Sequence, residues 1–237
     1  MKAMLLAAGR GTRLGSLTRN TPKPMMPIAG KPLLEYVISL MKKYLIEDII
    51  INLHHCPEAV VNYFGDGRNW GVHISYSLED QLLGTAGAIK KVESSLSETF
   101  LVYYADNLSN CDIARLIEFH FAHKGIGTVA LAASQAEITG GIAKFDEKSR
   151  ITRFLEKPGK DQLFSDLVNA GIYVLEPAIF DYIPPNRYYD FGTDLFPGLL
   201  ERQVGLYGYL MSDFLLPIDT PEKYRSTQLE VAERGLC

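Results

Sequence analysis

The chain has 237 residues, is 47% hydrophobic and carries a formal net charge of −4. Acids and bases are interspersed without a basic stripe, which argues against nucleic acid or an anionic membrane as the main partner, and no apolar run approaches a membrane span. Three scattered cysteines (Cys56, Cys111 and Cys237) without a C-x-x-C pair argue against a disulfide frame or zinc cluster and for a reducing compartment.

The apolar run Lys2 to Ala7 predicts a buried strand that ends in a loop holding Gly9, Gly11 and two arginines. Because a core strand comes at once, a cleaved signal peptide is not expected, and a cytoplasmic location is. Glycines let a polyphosphate approach the loop's backbone N–H groups, and Arg13 with Lys23 of the TPKP segment supply fixed positive charge. The loop is neither of the commoner phosphate loops. A dinucleotide loop wants glycine where Leu14 stands, and no G-x-x-x-x-G-K-[ST] occurs. A plain turn would need neither Arg13 nor Lys23, so the segment points to an enzyme that handles a nucleoside triphosphate.

Apolar spacing then predicts a helix over 32–45, a strand over 48–53, a helix over 57–64 and a strand over 72–77. A helix over 85–96, a strand over 99–104 and a helix over 112–124, with Asp112 as its cap, follow. Such alternation builds a mostly parallel sheet whose ligands lie beyond the carboxyl ends of its strands. The strand over 99–104 delivers Asp106 of YYADN to that edge, where a carboxylate suits Mg²⁺, or else an Asx turn. His54 and His55 end a strand and read as loop surface, with an approach to the base as the alternative. His120 and His123 lie one helical turn apart without a third ligand, so no metal is expected there.

Beyond 126 the runs shorten: 127–133, 141–145, 151–156, 168–175 and 204–210 read as strands added antiparallel, with helices over 177–182, 193–202 and 221–234. FLEKP ends one of these strands with Glu156 and Lys157, a lysine that either fixes a second phosphate or is simply solvated. NAGIYV begins another with Asn169 among small residues, suited to hydrogen-bonding a polyol. YYDFGTD (188–194) reads as a turn before a helix or a cover for such a ligand.

LLAAGRGTRL, TPKP, GKP, LGTAGA, the Asp of YYADN, FLEKP and NAGIYV stand in the order seen in sugar-1-phosphate nucleotidyltransferases, and the chain resembles that family from Met1 to about Tyr224. GDGRNWGVHISYSLED (65–80) is similar to the mannose-1-phosphate and heptose-1-phosphate guanylyltransferase branch. The resemblance implies a Rossmann-like, mixed, mostly parallel α/β sheet with helices on both faces and a smaller sugar-binding lobe. With no repeat, low-complexity segment or long linker, the chain reads as one domain over 1–237, with a nucleotide lobe over 1–110 and a sugar lobe with a closing helix over 111–237. No β-helix or acyltransferase extension is expected. The implied reaction joins an NTP (GTP favoured) to a sugar 1-phosphate and releases pyrophosphate.

By the same resemblance, Gly9 and Gly11 would donate N–H groups to the triphosphate, with Thr12, Arg13 and Lys23 around it. Leu6, Ala8, Gly84 and Thr85 would frame base and ribose, and Lys157 would hold the sugar's phosphate. Gly141, Glu156, Asn169 and Gly171 would line the sugar, and Asp106 would carry Mg²⁺. The family's late acidic element departs here: PIDTPEKY puts Pro217 where many relatives have an acid. Asp219 is the candidate second ligand, or the cap of the helix that follows. A regulatory nucleotide-sugar sensor and a phosphocholine cytidylyltransferase are the alternatives. Retained Arg13, Lys23, Asp106 and Lys157 favour an enzyme, and Glu156 with Asn169 favours a sugar. Oligomeric state is left open.

Overall fold

The computed structural model describes residues 1–134, 138 and 140–233. In chain order the elements are β1 (Lys2–Leu6), β2 (Pro27–Ile28), β3 (Lys31–Pro32), α1 (Leu33–Lys43), β4 (Asp48–Leu53), α2 (Pro57–Phe64) and β5 (His73–Leu78). There follow α3 (Gly84–Lys91), β6 (Phe100–Tyr104), β7 (Asn107–Ser109), α4 (Ile113–His123), β8 (Gly127–Ala133), β9 (Ile142–Phe145) and β10 (Ile151–Leu155). Last come β11 (Leu167–Leu175), α5 (Phe196–Glu201), β12 (Leu206–Met211), β13 (Leu215–Pro217) and α6 (Pro221–Glu233). The fold is mixed α/β, a mostly parallel sheet with helices. Two compact units divide the chain, each built from separated stretches.

The loop unit comprises Lys2–Leu82, Tyr103–Asn110 and Leu215–Cys237. Here β1 pairs parallel with β4 and β4 with β5, in a register that aligns Leu6, Asn52 and Ser77. Ala3–Leu6 and Ile49–Leu53 are buried throughout and apolar except for Asn52, as in strands covered on both faces. Each buried Met, Leu or Ile side chain among them contributes about 1.5–3 kcal/mol by leaving water. Helix α1 buries Leu33, Leu34, Val37, Ile38 and Met41, and stops short of Leu45, which takes a left-handed backbone. The sequence reading missed the antiparallel pair of β7 and β13, which are three residues each and lack a periodic signal.

The Glu156 unit comprises Met1, Leu83–Val102 and Cys111–Phe214. In it β8 pairs antiparallel with β11, and β9 with β10, as expected of the second half. β12 departs from that expectation by running parallel to β8. Asp112 caps α4, its carboxylate accepting the Arg115 N–H at 3.2 Å. The expected helix over 85–96 ends at Lys91 and continues only as a 3₁₀ turn, Glu93–Ser95. Residues Pro177–Tyr182 are 3₁₀, and α5 is entered through a π-helical turn, Phe191–Leu195. Arg234, the expected end of the last helix, and Cys237 lie outside the described residues.

Candidate active site

Beyond β1 the chain turns at Gly11, whose carbonyl accepts the Leu14 N–H at 2.9 Å and the Thr18 hydroxyl at 3.0 Å. Gly11 has φ +62°, which favours glycine, and a Cβ there would crowd the Thr18 methyl at 3.0 Å. Gly9 faces open space, where a ligand can reach its backbone. Thr12 and Arg13 are exposed on the 3₁₀ segment Thr12–Thr18 that follows, whereas Leu6 and Ala8 are buried.

Four expected site residues from four distant stretches meet as two ion pairs. Lys23 Nζ lies 2.7 Å from Asp106 Oδ2, and Arg13 Nη1 lies 2.8 Å from Asp219 Oδ2. Backbone pairing brings the carboxylates to one edge. The Ala105 N–H donates to the Leu6 carbonyl at 3.0 Å, setting Asp106 beside the end of β1. The Ile218 N–H donates to the Asp106 carbonyl at 3.2 Å, continuing the β7–β13 ladder to Asp219. Thr220, not Asp219, caps α6: its hydroxyl accepts the Lys223 N–H at 3.3 Å, which frees Asp219 from that task. Lys223 Nζ then lies 3.1 Å from Asp219 Oδ1. Burial alone would raise Asp219, but the hydrogen bond and charge of Lys223, with Arg13 and Lys23, hold it below the usual carboxylate range. Lys223 escaped the sequence reading, although its place four residues after Asp219 on a helix start is a readable signal.

Two carboxylates are donors that a hard divalent cation such as Mg²⁺ can take. Mg²⁺ takes one or two protein carboxylates and completes its shell with phosphate oxygens and water. Asp106 and Asp219 are hard oxygen donors of that number. Among the described residues no group of three or more His, Cys, Asp or Glu could hold a metal ion.

A buried network beneath the loop also went unread. Asn52 Oδ1 accepts the Ala7 N–H at 2.8 Å, and its Nδ2 donates to Glu79 Oε1 at 2.7 Å, so the entry to the glycine loop is pinned to β4 and to the residue after β5.

In the Glu156 unit, the other expected residues gather around one carboxylate. A Cβ on Gly141 would lie 2.6 Å from Glu156 Oε2, so the glycine makes room for it. The Asn169 N–H donates to the Gly141 carbonyl at 2.8 Å. Asn169 Oδ1 accepts the Gly171 N–H at 3.0 Å, and its Nδ2 donates to the Tyr173 hydroxyl at 2.8 Å. Gly171 has φ +70° within a break of the β11–β8 register, a bulge that turns the Asn169 amide. Burial first, and then the charge of Asp190, raises the Glu156 pKa; Lys157 opposes them. Lys157 is exposed and holds a left-handed backbone, φ +47°, a strained state for a non-glycine residue that clusters at functional sites.

Gly84 and Thr85 belong to this unit, where Thr85 bonds to Asp190 and Phe191. His120 is core: it bonds Thr128 and Glu176. His123 stacks on Phe119. His55 bonds the Thr18 carbonyl and His54 the Glu79 carbonyl, so both brace the loop.

The model of the Nucleotidyl transferase family matches residues 2–225. The chain is similar to the UTP–glucose-1-phosphate uridylyltransferase of Synechocystis, 36% identical over 89% of this chain and 58% of that one. It is also similar to the D-glycero-α-D-manno-heptose 1-phosphate guanylyltransferase of Aneurinibacillus thermoaerophilus, 32% identical over 98% of both. The chain thus spans less than two thirds of the first of these relatives and nearly all of the second. In fold it is similar to HddC of Yersinia pseudotuberculosis solved with GMP-PN, with a TM-score of 0.82 at 23% identity, covering 97% of this chain and 98% of that one.

Proposed function

We propose that this chain, which belongs to the nucleotidyl transferase family, transfers a nucleoside monophosphate from an NTP to a sugar 1-phosphate and releases pyrophosphate. The observation that carries the reading is the pairing of Lys23 with Asp106 and of Arg13 with Asp219 at the glycine loop. GTP is the favoured donor, a choice supported by the guanylyltransferase matched along nearly its whole length. The dispersed cysteines support a cytoplasmic location.

An oxygen of the sugar phosphate attacks the α-phosphorus in line, the bond to the bridging oxygen breaks, and pyrophosphate leaves with the electron pair. Both reactants are anions, so the work is positioning and charge neutralisation rather than covalent catalysis. Gly9 and Gly11 donate N–H groups to the triphosphate, Thr12 lies beside it, and Arg13 and Lys23 take up the charge that grows on the leaving group. Leu6 and Ala8 frame the base in this assignment. Lys157 holds the sugar's phosphate, and Gly141, Glu156, Asn169 and Gly171 contact its hydroxyls. Mg²⁺ bound by Asp106 and Asp219 would supply further positive charge at the transferring phosphate. Lys23 and Arg13 each neutralise one of these carboxylates, which holds all four charges in place.

A pyrophosphate-release assay of the four ribonucleotides and dTTP against mannose, glucose and heptose 1-phosphates, with Mg²⁺, tests this. Release with GTP and a manno-configured sugar phosphate is expected. A folded chain that releases none with any pair would overturn the proposal.

A further inference from the structure

We infer that Asp190 is a second carboxylate of the sugar-binding set beside Glu156, and that Thr85 is its positioning residue. This rests on reading Glu156 as a sugar ligand. Thr85 sits in the first turn of α3, but its hydroxyl is committed within its own unit. It donates to Asp190 Oδ2 at 2.8 Å and accepts the Phe191 N–H at 2.9 Å. Asp190 Oδ1 accepts the Gly192 N–H at 2.9 Å.

The backbone repeats the same docking. The Ala86 and Gly87 N–H groups donate to the Tyr189 carbonyl at 3.0 and 2.9 Å, and the Tyr189 N–H donates to the Leu83 carbonyl at 2.8 Å. Gly84 has φ +74°, and a Cβ on it would lie 2.5 Å from the Tyr189 oxygen. The glycines of LGTAGA therefore serve a close approach of two backbones. The start of α3 is a clamp on residues 189–192.

What the clamp presents lies against Glu156. Residues Phe191–Leu195 form a π-helical turn, a geometry frequent at functional sites. Gly192 within it abuts Glu156: a Cβ there would collide with Oε2, as one on Gly141 would. Asp190 is held by two neutral donors, a hydroxyl and an N–H, and each of its oxygens retains a lone pair for a further donor. Two carboxylates in mutual repulsion are relieved when each accepts hydrogen bonds. Neighbouring hydroxyls of a neutral sugar supply them, whereas a uronic acid adds a third negative charge. The substrate class is thus a neutral, hydroxyl-bearing sugar 1-phosphate.

The experiment uses the whole chain and whichever pair of GTP or UTP with mannose or glucose 1-phosphate it turns over fastest. The KM for the sugar phosphate, kcat, and the calorimetric Kd for the NTP are measured for the unsubstituted protein, Thr85→Val, Thr85→Ser and Asp190→Asn. Thr85→Val and Asp190→Asn are expected to raise the sugar-phosphate KM about tenfold with NTP affinity within twofold, the scale of one hydrogen bond to a charged group. Thr85→Ser, which keeps the hydroxyl, is expected to stay near the unsubstituted value. Glucuronic acid 1-phosphate is expected to be a poor substrate and to improve relative to the neutral sugar in Asp190→Asn. If Thr85→Val weakened NTP binding and left the sugar-phosphate KM alone, Thr85 would belong to the base and ribose. Equal losses in both constants and in thermal stability, unrescued by serine, would make the contact structural only. No turnover of any pair by the unsubstituted chain would instead overturn the sugar 1-phosphate reading, and this inference with it.

Discussion

Asp219 and Glu156 are both withdrawn from water, and burial by itself raises both. In the loop unit, Lys223, Arg13 and Lys23 reverse that effect and hold Asp219 as an anion. In the Glu156 unit the strongest neighbouring charge is Asp190, which adds to the effect of burial, and Lys157 offsets only part of it. The first arrangement has its negative groups already matched by cations, the balance needed where a polyanion and a metal are to exchange partners. The second keeps carboxylates in excess, which costs stability and leaves acceptors for hydroxyl donors. On the proposed function, the first region would recognise charge, and the second shape and hydroxyls.

The comparison breaks most directly at Arg13. Charge grows on the leaving pyrophosphate, so a guanidinium aimed at it acts more strongly in the transition state than on bound NTP. Arg13→Ala is expected to lower the single-turnover rate by about two to three orders of magnitude, as for loss of a preorganised donor. Arg13→Lys should recover only part, since lysine lacks the two-pronged donor geometry and reaches Asp219 as a point charge. An unchanged rate with weaker NTP binding would reduce Arg13 to an ordinary contact. A smaller and more selective effect is expected at Lys157, whose charge opposes the rise of the Glu156 pKa. Lys157→Ala should raise the sugar-phosphate KM about tenfold to a hundredfold, the worth of one charge-assisted hydrogen bond, with NTP affinity unchanged by calorimetry. Loss of NTP affinity instead would move Lys157 to the other side of the comparison.

The regular elements were legible because burial writes periodicity into sequence. Asp48–Leu53, Pro57–Phe64 and Gly127–Ala133 are found at the residues their patterns predict. The glycine loop and Asp106 were legible because strand ends and glycine chemistry mark them. Pairings of two or three residues were not, which is why β7 and β13, the pair that carries Asp219 toward Asp106, went unread. Nor was the meeting of Thr85 with Asp190, separated by 105 residues and decided by backbone docking at Gly84 and Gly87. The π-helical turn has no periodic signature, and the sequence over 193–202 looked like plain helix.

Lys223 sharpens the loop side. It is one of the cations on Asp219, at 3.1 Å, with its side chain partly exposed. Lys223→Met is expected to lower kcat/KM only about twofold to fivefold, the scale of a partly exposed pair, because Arg13 still holds the carboxylate. The half-saturating Mg²⁺ concentration should shift with it. A loss as large as that of Arg13→Ala would show that Lys223 touches substrate.

The smallest effect separates the two regions by sign. Burial and the charge of Asp190 raise the Glu156 pKa in the folded chain above its unfolded value. The folded state therefore binds this proton more tightly, and the stability it lends is present below the unfolded pKa and lost as pH rises through the folded one. At neutral pH the ionised carboxylate works against folding. Glu156→Gln, close in shape and uncharged, should then be more stable than the unsubstituted chain in urea at pH 7–8. The gap should close as the pH falls toward 4 and Glu156 takes up its proton. Its sugar-phosphate KM should rise at the same time, the trade of function for stability found where a site stores repulsion. Urea midpoints for both proteins at pH 4, 6 and 8 are enough to decide. A gap that widened on acidification would mean that Glu156 is stabilised as an anion, like Asp219, and the contrast between the two units would fail.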